Sequence, residues 1–354
     1  MAEWIAGIDI GSTTVKAVVC PASGGEPVWR DYRRHGARQA EMVCEFLRRI
    51  EADFGPAGNG LEVVMTGSGA STFAPLTGAR HISEVAAVAL AVERRFPDVR
   101  SVIELGGQDA KMIFFEPLPG GGRKKTSTMN DVCAGGTGAV IDKIAAKLRI
   151  GEEELAAYRY EGVPLHPVAG KCGVFAESDI NSLQKKGVPE RELFASLFEA
   201  LVLQNLSVLS RGRLLLPRVL LLGGPNYYLP GLREAWRAHL ERLWRERGVA
   251  LPEGADAAAL VECPEEAVYF AALGAVEFVR EEGITRSYRG HGGILVWSRT
   301  NDGRRDGLPG LRGSDGDLEE FLARFRPGGA PVRGFGRGER CRVFLGIDGG
   351  STST

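Results

Sequence analysis

Short apolar strands that each end in a glycine-rich turn most constrain the fold of this chain. The pattern occurs in the segments Trp4–Ile10, Leu61–Thr66, Val102–Leu105 and Val219–Leu222. Segments with helical periodicity lie between these strands. In Glu190–Arg211, for example, apolar residues recur every fourth position and predict a core-facing helix. Strands that alternate with such helices indicate an α/β fold.

Composition and length exclude several classes of protein. The chain has 354 residues, room for two or three domains, and its 44% hydrophobic and 25% charged residues are ordinary for a globular protein. A net charge of −1 argues against nucleic-acid binding, and the lack of a long apolar run argues against a membrane span. The first residues lack a secretory signal, so we expect a cytoplasmic protein.

The first glycine-rich turn lies in a predicted hairpin over residues 7–16 and has the composition of a phosphate loop. Backbone N–H groups and small hydroxyls in such a turn can surround phosphate oxygens. Asp9, at the end of the first strand, is placed to hold a metal-bound water, and Lys16 would add positive charge. The predicted phosphate ligands are Gly11, Ser12, Thr13, Thr14 and Lys16.

A second hairpin repeats this arrangement over residues 103–111. Its first strand ends in Gly106 and Gly107, and Gln108 and Asp109 follow before the chain returns. These two side chains would reach Mg²⁺ or an attacking water. Two such hairpins can hold one triphosphate from both sides.

A third turn completes the set. Gly223 and Gly224 end a strand before a helix, so that a flat base or ribose can lie against bare backbone. The predicted catalytic residues of the combined site are Asp9, Gln108 and Asp109.

This set of turns resembles the actin/Hsp70/sugar-kinase ATPase superfamily, which has a duplicated ribonuclease H-like α/β fold. The resemblance implies two lobes that close on ATP and Mg²⁺. The expected domain limits are 1–80 for lobe I, 81–262 for lobe II and 263–283 for a C-terminal helix that returns to lobe I.

Two of the six cysteines occupy chemically distinctive positions. Cys133 and Cys172 each lie at a predicted helix start, where the helix N-terminus, and for Cys172 the adjacent Lys171, favours a thiolate. Two thiolates cannot complete a Cys₄ iron–sulfur site, but two copies can share one cluster across a two-fold axis. The other four are interpreted as incidental: Cys20, Cys44, Cys263 and Cys341.

The motifs around these cysteines are similar to those of the activators of 2-hydroxyacyl-CoA dehydratases and of the ATPase subunit of benzoyl-CoA reductase. The resemblance covers residues 4–280 and implies a homodimer with one [4Fe-4S] cluster held by Cys133 and Cys172 of each copy. It further implies ATP-driven delivery of a low-potential electron, supplied by reduced ferredoxin or flavodoxin, to a dehydratase-like component. The segment after Cys133 would contact both nucleotide and cluster; its ATP ligands are Gly135, Gly136, Thr137 and Gly138.

The end of the chain differs in composition from the rest. Residues 284–341 are rich in Gly and Arg and are interpreted as a linker with one short helix at about 315–326. Residues 342–354 then repeat the first strand and turn, since Gly346–Thr352 matches Gly7–Thr13 except at one position. We therefore expect a fragment of a larger tandem-domain protein, in which a second domain could form a pseudo-dimer with the first.

Two alternatives from other functional classes stay open at this point. One is a sugar or amino-sugar kinase of the same superfamily. The motifs at Cys133 and Cys172 disfavour this alternative. The other is a non-catalytic regulator that binds nucleotide without hydrolysing it.

Overall fold

The computed structural model describes residues 3–56, 60–130, 134–170, 172–301 and 316–325, and a few isolated positions between 314 and 347. By its contacts the chain divides into two compact units, Met1–Arg299 and Thr300–Thr354. The first unit contains both sheets.

The N-terminal part of the chain forms a first mixed sheet. Its strands are β1 Trp4–Ile10, β2 Thr14–Pro21, β3 Trp29–Arg34, β4 Leu61–Thr66 and β5 Arg80–His81. They lie in the order β3-β2-β1-β4-β5, with β1 antiparallel to β2 and parallel to β4. Strand β4 is buried along its whole length, which explains its mostly apolar sequence.

A second sheet repeats this topology. Its strands are β6 Ser101–Leu105, β7 Ala110–Pro117, β8 Arg123–Asn130, β9 Val219–Leu222 and β10 Val261–Glu262. They lie in the order β10-β9-β6-β7-β8, so β6 takes the place of β1, with an antiparallel hairpin on one side and parallel strands on the other. The expected duplication of an α/β unit is therefore visible in the strand order.

Helices cover both sheets. They are α1 Gln39–Phe54, α2 Ala70–Thr77, α3 Glu84–Arg95, α4 Gly138–Leu148, α5 Glu152–Ala157, α6 Gly173–Lys185, α7 Glu190–Leu209, α8 Gly224–Tyr228, α9 Pro230–Glu246, α10 Phe270–Glu282, α11 Gly292–Asn301 and α12 Asp317–Phe325. Within the part of the chain that the structure describes, only α7 is long and apolar enough to cross a membrane, and 67% of that stretch is buried inside the protein. Its apolar surface packs in the core of the second sheet.

Helices α3 and α10 pack between the two sheets. One apolar core joins them to residues of both sheets, such as Val64 on β4 and Val102 on β6. Glycine permits the close approach, because a Cβ at Gly7 would lie 2.1 Å from the Ala272 carbonyl oxygen and one at Gly274 would lie 1.7 Å from that of Ala87. The C-terminal helix thus lies directly on the first sheet.

The start of the predicted linker differs from the expectation. Residues 285–297 pack against the first sheet and its helices; we call this segment the strap. Glu62, fully buried on β4, accepts hydrogen bonds from the backbone N–H of Arg286 and the hydroxyl of Thr285, both at 2.8 Å. Ile294 of α11 is also fully buried. Glycine and arginine content suggested a linker, but buried apolar anchors fix this segment.

The second unit contains the short helix α12, which falls inside the predicted range of 315–326. Leu318, Phe321, Leu322 and Phe325 on this helix are exposed. Most of the predicted repeat at 342–354 lies outside the described residues, so that prediction and the predicted domain limits stay predictions.

Candidate functional site

The turns of the two sheets have the same internal geometry. In the first, the N–H of Gly11 donates to the Thr14 carbonyl at 2.9 Å, and in the second the N–H of Gly106 donates to the Asp109 carbonyl at 2.8 Å. The turns also meet, since a Cβ at Gly107 would lie 2.2 Å from Thr13 Oγ1. The two predicted phosphate hairpins therefore face each other across one cleft.

Asp9 and Lys16 lie opposite each other on β1 and β2 at the base of the first turn. Lys16 Nζ donates to Asp9 Oδ2 at 2.8 Å, and the Asp9 side chain is 1% exposed. Burial lowers the pKa of Lys16, but the attraction of Asp9 outweighs it and leaves this pKa raised. Asp9 Oδ1 is buried and accepts no hydrogen bond from a described residue. It lies over Gly67, where a Cβ would come within 2.5 Å of it.

The second hairpin carries a larger charged cluster that the sequence analysis did not single out. Lys111, 1% exposed on β7, lies 2.6 Å from Glu84 Oε1, 3.3 Å from Asp109 Oδ2 and 3.5 Å from Glu104 Oε2. Burial raises the pKa of Glu84 to about 7. The nearby carboxylates of Asp9, Glu104 and Asp109 also raise this pKa, whereas the positive charge of Lys111 lowers it. Four carboxylates thus surround two lysines in this part of the described chain.

The segment that begins α4 closes over the second turn. The N–H groups of Gly138 and Ala139 donate to the carbonyls of Gly106 and Gly107 at 3.0 and 2.7 Å, and Thr137 Oγ1 donates to the Gly107 carbonyl at 3.0 Å. Behind it, Asn205 Nδ2 donates to the Gly136 carbonyl at 2.8 Å. The segment 136–139 is therefore tied directly to the predicted phosphate loop.

The third turn is held against β6. Gly223 has φ of 87°, and a Cβ there would lie 2.0 Å from the Leu105 carbonyl oxygen, so no other residue fits. Gly224 begins α8 and lines the cleft with Pro225 and Tyr228. All three predicted turns thus converge on the cleft between the sheets.

A cavity of about 390 Å³ occupies this cleft. The predicted residues that line it are Thr13, Thr14, Lys16, Gly106, Gly107, Gly138 and Gly224. The remaining predicted residues are not in its lining: Asp9, Gly11, Ser12, Gln108, Asp109, Gly135, Gly136, Thr137 and Gly223. Two of these are neighbours of lining residues in the same hairpins, since Asp9 pairs with Lys16 across β1 and β2 and the Asp109 carbonyl accepts a hydrogen bond from Gly106.

The cavity wall also contains residues that the sequence analysis missed. They are Tyr32, Arg34, Ile141, Asp142, Glu152, Leu155, Ala156, Pro225, Tyr228 and Leu229. Arg34 Nη1 lies 2.8 Å from Asp142 Oδ2, and the rings of Tyr32 and Tyr228 are 5.7 Å apart, so contacts cross the mouth of the cleft. Sheet pairing brings Tyr32 opposite Lys16. No spacing in the sequence signals that pairing.

Of the two predicted cluster ligands, Cys172 is described and Cys133 lies outside the described residues. Cys172 is partly exposed at the N-terminus of α6. A Cβ at the next residue, Gly173, would lie 2.8 Å from Val140 Cγ2 and 3.0 Å from Gly135 Cα. The start of α6 therefore packs on the segment that closes over the second turn.

Two of the cysteines interpreted as incidental are poor metal ligands as they stand. Burial raises the pKa of the Cys20 thiol to about 11 and that of Cys263 to about 11. Burial therefore disfavours the thiolate form, which metal ligation requires. Among the described residues, no group of three or more His, Cys, Asp or Glu side chains is arranged to hold a metal ion.

Comparison with known proteins identifies the family. The chain is 30% identical to the activator of lactoyl-CoA dehydratase from Anaerotignum propionicum, over 58% of this chain and 74% of that protein. It is 27% identical to the (R)-2-hydroxyglutaryl-CoA dehydratase activating ATPase of Acidaminococcus fermentans, over 60% of this chain and 79% of that protein.

A solved structure shares the fold. The activator of the 2-hydroxyisocaproyl-CoA dehydratase from Clostridium difficile, with bound ADPNP, aligns with a TM-score of 0.64 and 24% identity over 79% of this chain and 95% of that chain. The expected two-lobed α/β ATPase fold is confirmed. The BadF/BadG/BcrA/BcrD ATPase family model matches residues 6–234, more than half of the chain, and this protein belongs to that family.

Proposed function

We propose that this protein hydrolyses ATP in order to deliver a low-potential electron, through a [4Fe-4S] cluster shared by two copies, to a 2-hydroxyacyl-CoA dehydratase or a related reductase. The observation that carries the proposal is that two similar acidic hairpins meet at one cavity. Helix α4 lines this cavity and packs against the start of α6, directly after Cys172. The relatives named as dehydratase activators supply the partner class.

The lining of the cavity suits a nucleotide. It includes the hydroxyls of Thr13 and Thr14, the ammonium group of Lys16 and the bare backbone of Gly106 and Gly107, all of which suit phosphate oxygens. It also includes apolar side chains, which favour a flat base: Ile141, Leu155, Pro225 and Leu229.

The carboxylates of the two hairpins fit a magnesium ion. Mg²⁺ is usually bound by one or two carboxylates together with substrate phosphates and waters. Asp9 Oδ1 is buried and lacks a hydrogen-bond donor among the described residues, and the carboxylates of the cluster outnumber its lysines. When bound, Mg²⁺ would neutralise the charge that develops on the phosphate oxygens.

Hydrolysis of ATP needs a water molecule that side chains of the site hold in position for attack on the γ-phosphorus. A water oxygen bonds to the γ-phosphorus while the bond from that phosphorus to the β,γ-bridging oxygen breaks, which yields ADP and inorganic phosphate. Gln108 and Asp109, at the tip of the second hairpin, would orient this water, and Lys16 would hold the phosphates. One proton of the water stays on the oxygen that joins the phosphorus, and the other passes to a phosphate oxygen or to solvent.

Two cysteines per chain would make half of a Cys₄ site. If Cys172 and Cys133 supply two thiolates from one chain, a second copy or a second repeat must supply the other two. The exposed apolar side chains that follow Cys172, Val174 at 66% and Phe175 at 65% exposure, are suited to such an interface. A bound cluster would carry one electron at a time.

The chain offers a direct mechanical path from nucleotide to cysteine. The carbonyls of Gly106 and Gly107 fix the N-terminus of α4, and the start of α4 packs on Gly173 beside Cys172. Glu177 on α6 also pairs with Lys143 on α4 at 2.6 Å. A shift of the second hairpin on phosphate loss would therefore move both helices and the environment of a cluster.

Release of phosphate from ATP in the presence of Mg²⁺ tests the hydrolytic part. Asp9→Ala should lower kcat by about 100-fold or more, because it removes a carboxylate at the phosphate site. Asp98→Ala is a matched control, since its carboxylate pairs with Arg218 in an exposed ion pair. Binding of ATP without hydrolysis by the wild type, or transfer of phosphate to a hexose, would contradict the proposal.

A further inference from the structure

Lys111 is a buried lysine that the proposed ATP site does not itself explain. It is 1% exposed, points into the protein from β7, and does not line the nucleotide cavity in the described structure. Burying an ammonium group without partners costs several kcal/mol, roughly the whole stability margin of many domains. Its position therefore depends on the carboxylates that surround it.

Those carboxylates come from three different parts of the fold. Glu104 lies directly across the β6–β7 hairpin from Lys111, and Asp109 belongs to the turn of the same hairpin. Glu84 is the first residue of α3, the helix that packs with α10 between the sheets. The ammonium group of Lys111 thus links Asp109, in the second predicted phosphate loop, to Glu84 on α3 between the two sheets.

Lys111 on one side and the backbone of Gly106 on the other restrict where the Asp109 carboxylate can point. Lys111 Nζ holds Oδ2 at 3.3 Å, and Oδ1 lies so close to Gly106 that a Cβ there would come within 2.1 Å. Asp109 therefore has little freedom as long as Lys111 is present. Without it, Asp109 would lie among unpaired carboxylates, which repel one another.

We propose that Lys111 is a positioning residue for ATP hydrolysis, which holds Asp109 in its working orientation while Glu84 holds Lys111. The proposal rests on the proposed ATPase function. Lys111 acts through Asp109, which is assigned to the attacking water, so its loss should lower turnover more than nucleotide affinity.

Replacement of Lys111 by methionine tests this role. Lys111→Met should lower kcat by about 10- to 100-fold, the order expected for a misplaced reacting group, and leave KM for ATP within about twofold. ADP binding measured by calorimetry should also stay within about twofold. Lys125→Met is the matched control, because Lys125 on β8 pairs with Glu93 on the same helix α3 at 2.6 Å but is 43% exposed.

A second variant separates positioning from folding. Lys111→Met leaves three carboxylates without their shared cation and lowers stability; the double variant Lys111→Met with Glu84→Gln removes one of them. The double variant should regain thermal stability and keep the low kcat. Recovery of kcat along with stability, or a kcat within twofold of wild type in a folded Lys111→Met protein, would overturn the inference. A wild-type protein that lacks ATPase activity would instead contradict the proposed function.

Discussion

At the residue scale, some charged groups of the site are close together in the sequence, and others come together only in the folded protein. Asp9 and Lys16 were predicted together because one hairpin contains both. Glu84 and Lys111 were missed because they are separated along the chain and meet only when α3 packs beside β7. Neither belongs to a spacing pattern that predicts a shared site.

The raised pKa of Glu84 predicts a pH dependence of stability in the protein without nucleotide or Mg²⁺. Folding raises this pKa from 4.5 to about 7, so between these values the folded state binds more protons than the unfolded state. The contribution of Glu84 to the free energy of unfolding is therefore greatest below about pH 4.5 and is lost as the pH rises toward 7.

Urea unfolding of the wild type and of Glu84→Gln at several pH values measures this effect. The free energy of unfolding of the wild type should fall relative to that of the variant between about pH 4.5 and 7, by an amount on the order of 1–3 kcal/mol. A difference between the two proteins that stays constant over this range would contradict the assignment.

At the element scale, strands with a mostly apolar sequence were located well. The predicted limits of β1, β4 and β9 agree with the structure because each is buried on both faces. Strand β3 was missed, because it lies at the edge of its sheet and consists of four charged and two aromatic residues without a buried face. That omission also concealed Tyr32 and Arg34 at the cavity mouth.

The strap was also missed, because its glycine and arginine content is typical of a linker. Tyr288 is 3% exposed and donates a hydrogen bond to Glu51 of α1, and His291 Nδ1 lies 2.7 Å from the other oxygen of the same carboxylate. Glu62 on β4 and Glu51 on α1 thus both have side-chain hydrogen bonds from residues of the strap. The compact unit that contains both sheets, Met1–Arg299, therefore extends beyond α10 and into α11.

Two substitutions within α11 test this extension. Ile294→Ala should lower the free energy of unfolding by about 2–5 kcal/mol, because it leaves a cavity at a fully buried position. Val296→Ala, at a side chain that is 63% exposed on the same helix, should change it by less than about 0.5 kcal/mol. Equal, small effects in thermal unfolding would show that the segment behaves as the linker that its composition suggested.

At the scale of the whole molecule, the two sheets and the layer between them explain how nucleotide chemistry could reach a distant group. The hairpins of both sheets meet at the cavity, α3 and α10 join the sheets behind it, and α4 leads from the second hairpin to the helix that begins at Cys172. Sequence patterns predicted the three turns and the cysteine motifs, because each is local. The path between them depends on packing and became visible only in the fold.

The iron and acid-labile sulfide content of the anaerobically reconstituted protein tests the central claim most directly. A cluster shared by two copies predicts about two irons and two sulfides per chain, with brown colour. Cys172→Ser should abolish both, and Cys263→Ser, at a partly buried thiol with a raised pKa, should keep both. A wild-type protein that stays colourless and free of iron after reconstitution would contradict the account.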